Sequence, residues 1–182
     1  MALKPQDLVV ALKVWTLRNI KWNQRDLARS LGMSLSEING AIKRAISSGL
    51  MIGSDLRNQV PQSVPYALQE FIIHGVRYSF PIEKGTRTRG VPTGLVGAKL
   101  ENAFANGEEN DIPVWPYPQG KVRGIGIKPL FRSLPDAVEK EENQELYILL
   151  ALVDMVREGR ARERNLASGV LSKKLELDSS HV

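Results

Sequence analysis

Nine of the ten prolines of this chain fall between residues 61 and 135. Proline lacks an amide hydrogen and its ring clashes with the carbonyl four residues back, so it breaks a helix interior. Long helices are thereby pushed towards the flanks, and the middle must be built from shorter, irregular pieces. That proline content alone suggests disorder. Eight of the eleven aromatic residues lie in the same stretch, however, and large apolar rings argue for a packed segment. The expected organisation is a helical module over 1–62, a helical and irregular scaffold or dimerisation region over 63–172, and a polar, flexible tail over 173–182. The fold class expected is mainly α with a small β wing.

At 182 residues the chain can bury a sizeable core without staples. It has no cysteine, which excludes disulfides, cysteine-based zinc or iron–sulfur sites and a thiol nucleophile. Its two histidines, His74 and His181, leave little scope for a multi-histidine metal site. The longest charge-free apolar run, 146–153, is eight residues, against the ~20 needed to span a bilayer. The N-terminal apolar patch carries Lys13 and no small-residue cleavage site, so no signal peptide is expected and the location expected is cytoplasmic. No GxGxxG or GxxxxGK[ST] loop is present. No cofactor and no enzymatic activity are expected.

Charge is distributed unevenly. Residues 1–60 carry nine basic and four acidic groups, while the remaining 16 basic and 16 acidic groups balance. The whole formal excess of +5 therefore sits in the first third. A basic module on a neutral body suggests a polyanionic partner, most often nucleic acid.

That module reads as three helices and a hairpin. The first spans 6–18, with Pro5 at its start and Leu8, Val9, Leu12 and Trp15 at helical spacing. The second begins at Asn23, a good N-cap, turns Leu27, Ala28 and Leu31 inward, and ends at Gly32. The third covers 34–48: Ser34 with Glu37 three residues on forms a capping box, and Gly49 closes it. Its apolar positions are Leu35, Ile38, Ile42, Ala45 and Ile46. A strand over 50–52 is expected to return antiparallel over 56–60.

The stretch 23–51, NQRDLARSLGMSLSEINGAIKRAISSGLM, resembles the winged helix-turn-helix of MarR-like transcriptional regulators. The resemblance rests on Leu27 and Ala28, Leu31 and Gly32, Ser34 with Glu37, Ile38, Ala41 and Ile42, Arg44, and Gly49 with Leu50. It covers about a third of the chain and implies that helix 34–48 is a recognition helix, that the partner is double-stranded DNA, and that the protein is a homodimeric repressor. The residue chemistry is compatible. Ser36, Gly40, Lys43 and Ser47 share one helix face, flanked by Asn39 and Arg44. Asn reads adenine, Lys or Arg reaches guanine, and serine adapts. Gly40 would let backbone and DNA approach closely. Arg25 and Arg29, one turn apart on the second helix, suit phosphates, as do Lys21 and Trp22 before it. Arg57 and Asn58 on the wing could reach backbone or minor groove, although Asp55 there would repel phosphate. The DNA-binding set expected is Arg25, Arg29, Ser34, Ser36, Asn39, Gly40, Lys43, Arg44 and Arg57.

Beyond residue 62, a helix over 66–79 is expected as buried scaffold, with His74 a core residue. Residues 85–90 read as a basic solvated loop. Residues 113–118 read as a proline–aromatic clamp or a docking surface around Trp115, and 122–127 as a strand. Helices are expected over 136–143, 144–158 and 160–171. The family uses a C-terminal apolar helix to dimerise, but the stripe over 144–158 could equally cover the monomer's own core. The competing function is an antitoxin- or adaptor-like interaction module that neutralises a partner protein through residues 80–135.

Overall fold

The computed structural model describes residues 2–54, 60–103 and 112–176. It is mainly helical with a small amount of sheet. In chain order, helix α1 spans Pro5–Thr16, α2 Gln24–Leu31 and α3 Leu35–Ser47. Strands β1 (Met51–Ile52) and β2 (Gln62–Ser63) follow. Then come α4 (Pro65–His74), α5 (Val76–Ser79), β3 (Lys84–Pro92), α6 (Gly94–Gly97), β4 (Pro113–Pro116), β5 (Val122–Ile127), α7 (Leu134–Ala137), α8 (Gln144–Glu158) and α9 (Ala161–Leu175). Short 3-10 turns lie at Glu101–Ala103 and Glu141–Asn143.

The N-terminal signals act as their chemistry requires. The Asn23 side chain accepts from the backbone amides of Arg25 and Asp26. Gly32 adopts φ +62°, a left-handed conformation that favours glycine, and stops α2. Ser34 and Glu37 form a reciprocal capping box at the start of α3. At the other end Gly49 (φ +79°) donates to the Ile46 carbonyl and Leu50 to that of Ala45, a Schellman closure.

Several expectations are corrected. Helix α1 ends at Thr16 rather than residue 18. The strand pairing with β1 is Gln62–Ser63, with Met51 opposite Ser63. Of the expected return over 56–60, residues 56–59 lie outside the described residues. The Ser63 hydroxyl donates to the Ala11 carbonyl at 2.6 Å, and Val64 caps α4. The helix expected over 66–79 breaks at Gly75 into α4 and α5. Residues 85–90 are not a loop but part of β3, where Thr86 and Thr88 suit an extended chain. The helix expected over 136–143 is α7 plus the second 3-10 turn, because Pro135 starts it earlier, just after Ser133.

The three longer strands close on one another. Strand β3 pairs antiparallel with both β4 and β5, and β4 pairs parallel with β5. Closure with so few strands brings backbones unusually near. A Cβ on Gly90 would collide with the Trp115 carbonyl, and one on Gly124 with the Ile112 carbonyl, so both positions need glycine.

One continuous cluster of buried apolar side chains reaches from Leu8 in α1 to Leu175 in α9, crossing residue 62. At its centre residues 149–156 of α8 are all buried. A helix apolar on every side belongs in an interior. The C-terminal stripe therefore covers this chain's own core. No helix among the described residues is long and apolar enough to cross a membrane.

Candidate nucleic-acid interface

Helix α3 is amphipathic in the way its sequence dictates. Ile38, Ala41, Ile42 and Ala45 are buried, whereas Ser36, Lys43 and Ser47 are exposed in line along the outer face. Lys43 has no ion-pair partner among the described residues. Ser34 is exposed at the helix start, but its hydroxyl is engaged by the Glu37 amide at 3.1 Å. Arg25 and Arg29 are exposed on α2, and Arg29 makes only a loose 3.7 Å contact with Asp26. Arg57 lies outside the described residues, as do Asn58 and Asp55.

Three candidate residues on α3 have intramolecular work. Arg44 forms a two-pronged pair with Asp7 of α1, through Nε at 2.8 Å and Nη2 at 2.7 Å. The Asp7 side chain is fully buried and that of Arg44 only 14% exposed. The hydrogen bonds it donates to Asp7 hold the guanidinium above its ordinary pKa against the opposing effect of burial. Arg44 is thus a brace between α1 and α3. Gly40 accommodates that brace: a Cβ there would stand 3.1 Å from Arg44 Nη1. Asn39 is half-buried and its amide donates to Gln24 Oε1 at 3.4 Å. Trp22 is also corrected: it is a buried core residue, leaving Lys21 exposed beside it. Leu35 and Ile46, expected inward, are 46% and 36% exposed.

Distant residues fix where α3 sits. The last carbonyls of a helix have no intrahelical partners. At the end of α2 they are met from the segment around α7. Lys140 Nζ donates to the carbonyls of Arg29 (2.7 Å) and Ser30 (3.1 Å). Asn143, wholly buried, donates to the Ser30 carbonyl at 3.0 Å and accepts from the Ser30 hydroxyl. The Ser133 hydroxyl donates to the Leu31 carbonyl. A cation at a helix C-terminus also complements its dipole. Sequence reasoning found none of these partners, because each lies about 100 or more residues away with no local signature.

At the other end of the turn, the Glu37 carboxylate accepts from the Ser34 backbone amide at 2.8 Å. That bond, aided by the Ser34 hydroxyl and Arg132, pulls its pKa below the usual carboxylate value against a smaller effect of burial. A depressed folded pKa stabilises the fold above the unfolded value of about 4.3, and the contribution is lost as pH falls through the folded value. Urea unfolding of the parent and Glu37→Gln should therefore differ near neutral pH and converge as pH falls below the ordinary carboxylate range. A difference independent of pH would contradict the cap.

The remaining sequence candidates separate cleanly. His74 is exposed at the end of α4, not a core residue. Trp115 is buried at 1% exposure, with its ring 5.9 Å from that of Tyr147; it is the packing clamp, not a docking surface. Among the described residues no group of His, Asp and Glu could hold a metal ion. Comparison of the chain with protein-family models, with curated proteins and with solved structures returns no match.

Proposed function

We propose that this chain is a sequence-specific double-stranded DNA-binding regulator of the winged helix-turn-helix, MarR-like kind, acting in the cytoplasm as a homodimeric repressor. The observation that carries the reading is the outward face of α3. Ser36, Lys43 and Ser47 are exposed in line there, Lys43 has no ion-pair partner among the described residues, and the exposed Arg25 and Arg29 lie on the preceding helix. A lysine on a helix in the major groove reaches guanine acceptors, and flanking arginines contact phosphates. The anchoring of α2 by Lys140, Asn143 and Ser133 supports this, since a reading helix must be held rigidly. In a two-fold dimer two such helices would sit about one DNA turn, ~34 Å, apart. With Arg44 engaged by Asp7, the base-reading role falls to Lys43 and Ser36.

The test is fluorescence anisotropy on the DNA upstream of the protein's own coding sequence and on a scrambled duplex, from about 50 to 200 mM salt. Lys43→Ala should weaken specific binding by about 1–3 kcal/mol, and Arg25→Ala should weaken both duplexes alike and reduce the salt slope by about 1. Equal, weak binding to both duplexes that vanishes with salt would overturn the reading.

One observation favours an interaction module instead. Leu35, Ile46 and Ile52, on α3 and β1, are 46%, 36% and 48% exposed, and apolar side chains suit a protein partner. Within residues 80–135 the surface open to such a partner would be β3, whose residues 84–87 are exposed, rather than Trp115.

A further inference from the structure

A second site lies away from α3, in a cleft of about 220 Å³ between α4, α5, α8 and α9. Its polar lining is His74, Arg77, Tyr78, Arg164, Asn165 and Ser168, and Ile73 and Val156 give it an apolar floor. No carboxylate lines it. On α8 and α9 the nearby acids are engaged: Asp154 with Arg157 at 2.7 Å, Glu158 with Lys84 at 2.6 Å, and Glu163 with the Arg160 amide at 2.8 Å, while Glu70 of α4 is exposed and not among the lining residues.

Two guanidinium groups and an imidazole thus share one concave space with no carboxylate among its lining residues. Arg164 is held in place because Nη1 donates to the Gly159 carbonyl at 2.8 Å, leaving other donors of its fork available. Arg77 is half-buried, and its guanidinium carbon lies 5.4 Å from the centre of the Tyr78 ring. The break at Gly75 ends α4 and starts α5, placing His74 and Arg77 on either side of it at the same cleft. Like charges facing one cavity repel, and an anion between them relieves that repulsion. Arginine forks in particular match the oxygens of phosphate and carboxylate. Asn165 and Ser168, one turn apart on α9, add an amide and a hydroxyl that can donate to the same oxygens.

We propose that this cleft binds a small multivalent oxyanion, a phosphorylated or polycarboxylate metabolite, with Arg77 and Arg164 as its charge clamp and Asn165 and Ser168 as orienting donors. The cleft is too small for a nucleic-acid chain and stands apart from α3, so the inference is independent of the DNA reading.

Isothermal titration at fixed ionic strength, with inorganic pyrophosphate and with citrate as separate probes, tests it on the full chain. The parent protein should bind at least one probe with a dissociation constant below about 1 mM. Pyrophosphate alone would assign a phosphate ligand, and citrate alone or both probes alike would extend the class to polycarboxylates. Arg77→Gln should weaken binding at least about tenfold, and Ser168→Glu, which puts a carboxylate into the cleft, should abolish it. Arg123→Gln removes the same charge from the exposed face of β5 and should leave affinity within about twofold, as expected for a distant site. Circular dichroism melting establishes that each variant is folded, and Ser168→Glu decides the question if Arg77→Gln is not. No binding by the parent protein, or a loss in Arg77→Gln no larger than in Arg123→Gln, would overturn the site.

Discussion

Asp154→Ala is expected to destabilise the protein by about 3–5 kcal/mol, the cost of removing one partner from a buried ion pair. Asp154 is the hub of the interior. One carboxylate oxygen accepts from the Thr93 hydroxyl and from Trp115 Nε1, both at 2.8 Å, and the other from Arg157 Nη1 at 2.7 Å. Arg157 Nε in turn donates to the Phe80 carbonyl at 2.7 Å. Both side chains of the pair are almost wholly buried, at 3% and 5% exposure. Burial pushes the Asp154 carboxyl up, while Arg157, Thr93 and Trp115 act to lower it. Three donors therefore converge on Asp154, from β4, from the end of β3 and from α8 itself. Alanine would leave the Arg157 charge and the Trp115 N–H unpaired inside the protein. Asparagine would preserve the shape but turn an NH2 group towards a donor, and indole N–H cannot accept. Asp154→Asn should thus also lose more than about 1 kcal/mol. Urea unfolding measures both. A change below about 1 kcal/mol in Asp154→Ala would show that the network contributes little.

Arg44→Ala is the second large effect, again about 3–5 kcal/mol of stability, because among the described residues it leaves the fully buried Asp7 carboxylate with only the Lys4 amide at 2.7 Å. Arg44→Lys keeps the charge and loses the two-pronged geometry, so it should fall between alanine and the parent. The Asp7→Ala and Arg44→Ala cycle should give a coupling well above the ~0.5 kcal/mol scatter of independent sites. This separates Arg44 from its neighbour Lys43. Under conditions where both variants are folded, the proposed function predicts that Arg44→Ala keeps the specific DNA binding that Lys43→Ala weakens by about 1–3 kcal/mol. A pronounced loss in folded Arg44→Ala would return Arg44 to the reading surface.

Much of the N-terminal third was legible because its determinants are local. Asn23, Gly32, the pair of Ser34 and Glu37, and Gly49 act on backbone groups within a few residues, and each functions as its chemistry predicts. The limits of α8 were legible for the same reason: an apolar run ends at Gly159. The middle was not. Gly85 and Gly90 suggested a loop, yet Gly90 is what lets β3 approach the Trp115 carbonyl. A glycine required by a strand crossing and a glycine in a loop look alike in one dimension. His74 and Trp22 exchanged expected places for a related reason: helical periodicity locates a face but does not say which neighbour covers it.

The sequence by itself determined where α2 and α3 begin and end, the positive charge of the basic module, and an apolar stripe over 144–158 that must be covered. Those follow from capping, composition and periodicity, which act over a turn or two of chain. The tertiary structure alone decided which polar side chains remain available. Arg44 looked like a surface cation until Asp7, 37 residues earlier, was brought against it, and Gly40 gained its reason from the same pair. The end of α2 is held by Lys140, more than 100 residues later. The cleft of Arg77 and Arg164 likewise exists only once α9 has packed against α4. Hydrogen bonds and ion pairs over such separations depend on how the core closes, and no local pattern in the chain encodes them.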